Sequence, residues 1–219
     1  IQAGTCDITI GGGVESMSRV PLGATIMQGP GAPFQPELLS KYELTPQGIS
    51  AEEIALKWGI GRQEADEFAL ESQEKAKRAR DEGRFDREIL PVDVKLEGLP
   101  ATIKTDEGIR DTSLEKLASL QPSFRPDGVH HAGNSSQITD GAAALLLMAK
   151  EKAEELGLRA RARIVAQAVV GSAPVLMLTG PITATPKVLA KAGLKLGDID
   201  LIEINEAFAS VVLAWKREI

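Results

Sequence analysis

Several groups of residues have types and spacing that could carry chemistry. Ile204-Asn205-Glu206 stands where a strand pattern gives way to a helical one. In open α/β sheets the carboxyl ends of strands hold the working residues. Asn205 there could donate its amide to a water or a substrate oxygen, and Glu206 in a first helical turn is favoured by the dipole. The plainer alternative is that Asn205 caps the helix. His130-His131-Ala132-Gly133-Asn134-Ser135-Ser136-Gln137 gathers small and polar residues ahead of an apolar run. Such a stretch could present hydroxyls and backbone donors to a ligand, or form an ordinary turn. Adjacent histidine side chains seldom point into one site, and the nearby carboxylates lack the spacing of a metal site. Gly11-Gly12-Gly13 fits neither GxGxxG nor a GK[ST] loop, so close backbone packing is favoured over phosphate binding. Cys6 opens an apolar strand, where a thiol is a filler more than a nucleophile. Met177 reads as core, and Arg110 is one exposed arginine among many. The absence of G-x-S-x-G leaves a serine triad unsupported.

The elements that must position these residues follow from periodicity. Residues 6–10 read as a short strand stopped by the three glycines. Residues 20–50 carry Pro21, Pro30, Pro33, Pro36 and Pro46 among glycines, a long ordered loop or lid. Ser50-x-x-Glu53 predicts a capping box for a helix through Ile54 and Trp58. A longer amphipathic helix is predicted from Arg62 to Glu82, with Gly83 as its C′ residue. Residues 88–95 predict an edge strand and 113–120 a short helix. Ala142–Ala149 predicts a fully buried strand, followed by a helix from Lys150 that ends at Gly157. Residues 162–170 predict a strand, Thr185-Pro186 a helix start, 199–204 a strand and Glu206 onward a helix. This alternation predicts an α/β sheet domain with an insertion in its middle third.

Composition bounds the function. There are 25 Lys+Arg against 31 Asp+Glu, a net charge of -6, which argues against nucleic-acid binding. One cysteine excludes an internal disulfide framework, and with two histidines it is too few for a zinc cage. No apolar run is long enough for a membrane span. No basic segment followed by an apolar one reads as a signal, and the expectation is a cytoplasmic protein. Neither Ile1 nor Ile219 reads as a natural terminus, so the chain is expected to be an internal piece.

Several motifs in order resemble the thiolase family: GGGVESMS at 11–18, SAEEIA at 50–55, R-x-x-x-D-x-F-A-x-x-S-Q at 62–73, GRF with EI at 83–89, AGNSSQITDGAAA at 132–144, TGPI at 179–182 and EINEAFAS at 203–210. The resemblance runs through the whole chain. It implies an α/β fold, the thiolase-like layered αβαβα arrangement, here incomplete, with a long inserted loop domain. The implied division is 1–19 in the N-terminal half, 20–130 as the CoA-binding loop domain, 131–158 returning to the first half, and 159–219 beginning the second.

The activity implied is acyl transfer: thiolytic cleavage of 3-oxoacyl-CoA by CoA through a cysteine acyl-enzyme. The alternatives are a thiolase-like lipid or CoA-binding protein without this activity, and a biosynthetic acetoacetyl-CoA thiolase. Asn205, in Asn205-Glu206-Ala207-Phe208, matches the family's catalytic asparagine, which holds a water at the oxyanion hole. The nucleophilic cysteine, the histidine and the second cysteine of the family are expected outside this piece, and Cys6, His130 and His131 match none of them. Ser136 matches the serine that meets the pantetheine of CoA, with Ser135 beside it. Phe124 and Met177 match apolar residues near the acyl and pantetheine path, and Arg110 an arginine near the CoA nucleotide. Pro46 and Gln47 replace the His-Met of short-chain members, which implies a changed acyl pocket and a longer or bulkier acyl chain. His131 replaces a residue that is usually small or β-branched. CoA is the implied co-substrate and no metal is implied. The implied partners are acyl-CoA, CoA and further copies of the chain in a homodimer or homotetramer.

Overall fold

The computed structural model describes residues 1–27 and 29–219. In order, the elements are β1 (Ile8–Ser16), α1 (Ala24–Met27), α2 (Pro36–Leu39), α3 (Gln47–Lys57), α4 (Arg62–Asp81), β2 (Val92–Leu96), β3 (Leu99–Ile103), α5 (Leu114–Ala118), β4 (Asp140–Met148), α6 (Lys150–Glu155), a 3-10 turn at Met177–Thr179, α7 (Gly180–Ala192), a second 3-10 turn at Leu196–Asp198 and α8 (Ala209–Glu218). The chain divides into two compact units. One comprises 1–42, 138–170 and 184–201; the other comprises 43–137, 171–183 and 202–219.

The first unit is built on one antiparallel ladder. β1 pairs with β4 from Ile8↔Met148 to Ser16↔Asp140. Its end is tied by Asp140, which accepts from the Ser18 backbone N–H at 2.8 Å and its hydroxyl at 2.5 Å. The three glycines do not stop the strand; they lie inside it, opposite Leu145, Ala144 and Ala143. Close packing explains the middle one, because a Cβ on Gly12 would meet the Ala143 carbonyl at 2.9 Å. Cys6 precedes β1 and is exposed, so it is not a filler in an apolar strand. The expected burial of β4 also fails: Leu145 is 70% exposed and Ile10 on β1 71%. A two-stranded ladder has no second layer of its own to cover its apolar side chains.

The second unit holds the better-packed core. Ala51, Ile54 and Ala55 on α3, Ile60, and Phe208, Val211 and Ala214 at α8 form one buried cluster. Full burial of a side chain such as Ile54 contributes about 2–3 kcal/mol. α3 starts at Gln47 with Pro46 before it, three residues ahead of the expected capping box. Ser50 is therefore inside the helix, where its hydroxyl donates to the Val175 carbonyl at 2.6 Å. A Cβ on Gly48 would fall inside the Phe124 ring. Gly48→Ala is accordingly expected to destabilise the full-length protein by about 1–3 kcal/mol through overpacking. A urea midpoint equal to wild type would refute this.

α4 buries Ala65, Asp66 and Ala69 at helical spacing and ends as expected, with Gly83 at φ +67°. α5 is capped by Ser113, whose side chain accepts from the Lys116 N–H. β2 and β3 form a hairpin whose two turn residues, Glu97 at φ +50° and Gly98 at φ +85°, have the left-handed backbone of a type I′ turn. β3 carries Pro100 and was not expected.

Three further expectations are corrected. Residues 162–170 and 199–204 are not strands; among the described residues the only ladders are β1–β4 and β2–β3. A strand exists only through backbone pairing with a neighbour, and neither segment has such pairing among the described residues; the Gln167 and Val169 carbonyls accept instead from Lys191 and Lys187 of α7. α7 starts at Gly180 and keeps Pro186 inside it, ending before Gly193 at φ +68°.

Candidate active site

α8 begins at Ala209 with Phe208 as its cap residue, not at Glu206. Asn205 therefore caps nothing, and the capping alternative falls. Its side chain is exposed and lines a cleft of about 240 Å³ within the second unit. One wall is the face of α4 formed by Phe68, Ala69, Ser72 and Gln73. The other is the segment from Gly133 to Gln137, and Asn205, Glu206 and Ala209 complete the lining.

Backbone bonds fix the two loops of this cleft against each other. Ser135 and Phe208 form an isolated antiparallel bridge. The Ser136 N–H donates to the Ala207 carbonyl at 2.8 Å, and the Ala209 N–H to the Asn134 carbonyl at 3.0 Å. These contacts hold the stretch with Ser135 and Ser136 beside the stretch with Asn205. The Ser72 hydroxyl donates to Glu206 Oε2 at 2.5 Å, joining α4 to the same stretch. The rim is fastened by two amides. Gln73 Oε1 accepts from the Arg110 N–H at 2.9 Å, and Gln137 Nε2 donates to the Gly108 carbonyl at 2.5 Å.

Ser135 lines the cleft, and its Oγ is buried without a hydrogen-bond partner. The cleft thus brings together Asn205, Ser135 and Ser136. The other four expected residues do not line it. Arg110 is exposed and joins the rim through its backbone. Phe124 packs edge-on to Phe208 at 5.7 Å. Met177 opens a 3-10 turn, its carbonyl accepting from the Ser172 hydroxyl at 2.7 Å. Gln47 is exposed in the first turn of α3. Phe68, Ser72, Gln73 and Gln137 were missed as site residues, although the first three stand in the F-A-x-x-S-Q motif that carried the resemblance. Periodicity alone gave α4 a buried face but not which of its polar residues line the cleft.

The two histidines are fully buried. His131 Nε2 lies 2.7 Å from Asp66 Oδ1, while its Nδ1 accepts from the Gly133 N–H at 3.0 Å. That acceptor contact fixes the tautomer, with the proton on Nε2 directed at the carboxylate. His130 Nδ1 is 3.3 Å from Glu52 Oε1, out of line for a hydrogen bond, and its ring stands edge-on to Phe208. Burial pushes both imidazoles below their ordinary range, against the pull of Asp66 on His131 and of Glu52 on His130. With the folded values depressed, the unfolded chain binds more protons as pH falls through about 6.5, so stability is lost in that direction. The urea midpoint at pH 5.5 should accordingly lie below that at pH 7.5. An unchanged or higher midpoint at pH 5.5 would contradict this. No cluster of His, Cys, Asp and Glu suited to a metal occurs among the described residues.

Comparison with known proteins gives these features a context. Residues 1–151 match the profile of the thiolase N-terminal domain and residues 158–219 that of the thiolase C-terminal domain. The chain is 43% identical to an acetyl-CoA acetyltransferase of Chromobacterium violaceum, with 100% of the chain and 59% of the relative covered. It is 46% identical to the human peroxisomal 3-ketoacyl-CoA thiolase, over 96% of the chain and 50% of that protein. It therefore spans between 50% and 59% of the length of these two relatives. A solved acetyl-CoA acetyltransferase from Syntrophomonas wolfei superposes with a TM-score of 0.83 at 41% identity, covering 99% of this chain and 57% of that one. The human mitochondrial 3-ketoacyl-CoA thiolase superposes equally well, at 0.83 and 37% identity, over 96% and 56%. The fold is the layered α/β fold of these structures.

The cytoplasmic expectation does not stand. Relatives at 44–46% identity are peroxisomal 3-ketoacyl-CoA thiolases of human, mouse, rat and Yarrowia lipolytica. The lack of a visible leader in these residues carries no location. With both domain profiles matched in order and the NEAF asparagine in a cleft beside two serines, the chain belongs to the thiolase family.

Proposed function

We propose that the intact protein cleaves 3-oxoacyl-CoA with CoA, giving acyl-CoA shortened by two carbons and acetyl-CoA. The observation that carries this is the cleft where Asn205 meets Ser135 and Ser136. In the proposed reaction a cysteine thiolate attacks the 3-keto carbonyl. The bond between the α and β carbons breaks, and acetyl-CoA leaves with a proton taken up at its α-carbon. The thiol of CoA then takes the acyl group from the cysteine. The two reactive cysteines and the histidine come from parts of the protein beyond this chain. Asn205 holds the water that donates to the developing oxyanion. Ser136 and Ser135 meet the pantetheine, and their place in the lining of the cleft supports this assignment. Arg110 faces the nucleotide end, while Phe124, Met177 and Gln47 shape the acyl path.

The same reading assigns residues 20–130 to a long inserted loop domain, between 1–19 and 131–158 of the first half, with 159–219 opening the second. The gap between the two profile matches, after 151 and before 158, supports the last boundary. CoA is the co-substrate, and the protein acts as a homodimer or homotetramer. The exposed apolar ladder of β1 and β4 supports the need for covering surface.

Initial rates of the full-length protein on acetoacetyl-CoA and 3-oxohexadecanoyl-CoA test the proposal. CoA-dependent release of acetyl-CoA is expected, faster with the longer substrate because Pro46 and Gln47 replace His-Met. Faster turnover of the four-carbon substrate overturns the chain-length assignment. CoA binding without turnover overturns the enzyme reading in favour of a CoA-binding protein.

A further inference from the structure

We propose that Asp66, acting through His131 and Asn134, is a positioning residue that fixes the Ser135–Ser136 wall of the cleft. The inference rests on the thiolase reading of that cleft and extends it to a buried cluster that has no part in the chemistry above.

The geometry is specific. α4 supplies one wall of the cleft through Phe68, Ala69, Ser72 and Gln73. Asp66 lies on the same helix, 3% exposed, and reaches the base of the opposite wall. Its Oδ1 accepts from His131 Nε2 at 2.7 Å and Asn134 Nδ2 at 2.9 Å. Its Oδ2 accepts from Arg62 Nε at 3.0 Å, and Arg62 also donates to the carbonyls of Leu117 and Leu120. Asn134 closes the loop on itself, accepting from the His131 N–H at 2.9 Å and donating to the Val129 carbonyl at 3.1 Å. Both ring nitrogens of His131 are used, so the ring is a spacer between Asp66 and the Gly133 N–H and has no free nitrogen for a base.

The consequence is a division of labour. Backbone bonds from Ser136 to Ala207 and from Ala209 to Asn134 set the spacing between the serine segment and the Asn205 segment. Asp66 sets the height of the serine segment against α4, one helical turn from the residues lining the facing wall. A side chain that orients a substrate-binding segment without touching substrate should change binding more than chemistry.

Full-length His131→Leu, His131→Gln and Asp66→Asn discriminate this from a purely structural cluster. Leucine removes the donor to Asp66; glutamine keeps an N–H of similar reach. H131L is expected to raise KM for 3-oxoacyl-CoA about tenfold, with kcat within about twofold of wild type. H131Q should return KM to within about threefold of wild type. A folded H131L with wild-type KM, or an H131Q as impaired as H131L, overturns the proposal. If H131L does not accumulate as folded protein, D66N, which keeps the shape and one acceptor oxygen, is judged by the same KM criterion. A wild-type protein without thiolysis overturns the enzyme reading instead. The Kd for CoA by equilibrium dialysis then becomes the readout, and an unchanged Kd in the variant overturns the positioning role. A wild-type protein that neither cleaves nor binds CoA overturns both.

Discussion

Asn205→Ala in the full-length protein is expected to lower kcat for thiolysis by about 10²–10³-fold, the loss seen when one oxyanion-hole donor is removed. Its effect on stability should stay within about 0.5 kcal/mol. The two expectations follow from different observations. The side chain is exposed in the cleft, so it contributes little to packing. α8 starts four residues later, so no helix cap is lost. KM should change little, because a donor that acts on charge developing in the transition state has little to bind in the ground state. Steady-state kinetics beside a thermal melt separate the outcomes. A marked fall in Tm with kcat preserved would mean that Asn205 is structural after all.

The largest stability effect is expected at Asp66. Its carboxylate is buried and accepts from His131, Asn134 and Arg62. Asp66→Ala strands the imidazole N–H in the interior, removes one of the two acceptors of the Asn134 amide, and leaves Arg62 with its two backbone carbonyls but no carboxylate. Breaking a buried pair from one side costs about 3–5 kcal/mol, because the remaining groups stay desolvated. Glu71 and Lys75 give the contrast. Both are more than half exposed, so removing that pair should change stability by less than about 1 kcal/mol. Urea unfolding of the two variants side by side tests this ranking. Equal midpoints would show that the Asp66 cluster is relaxed or hydrated in solution.

The sequence made local features legible where one residue decides them. Gly83 and Gly193 ended helices where expected, since each must adopt a positive φ. The short helix expected over 113–120 formed as α5, and the structure adds that Ser113 caps it through the Lys116 N–H. The family motifs pointed to Asn205, Ser135 and Ser136, and these three do share a cleft. Features that depend on distant partners were not legible. Residues 162–170 and 199–204 have strand composition, yet a ladder needs a neighbour that composition cannot supply. Gly11–Gly13 read as a stop because glycine usually breaks strands. Here Gly12 continues one, because β4 approaches too closely for a Cβ. His131 looked like an unexplained departure. Its partner, Asp66, lies 65 residues earlier on a helix whose periodicity gave no hint of a buried carboxylate.

Two of the contacts that pin the rim of the cleft are made by neutral groups. Gln73 and Gln137 hold the 108–110 loop through backbone partners, with no ion pair in either bond. Mobile ions weaken exposed charge pairs over a Debye length of about 8 Å at physiological strength, but they leave amide contacts nearly untouched. These two contacts should therefore persist from dilute buffer to concentrated salt, while the exposed Lys77–Asp111 pair beside Arg110 weakens. Loss of CoA affinity with added salt would then report on the ligand phosphates and on that one pair. Lys77→Met separates the two, because it removes the pair and leaves both amide contacts in place.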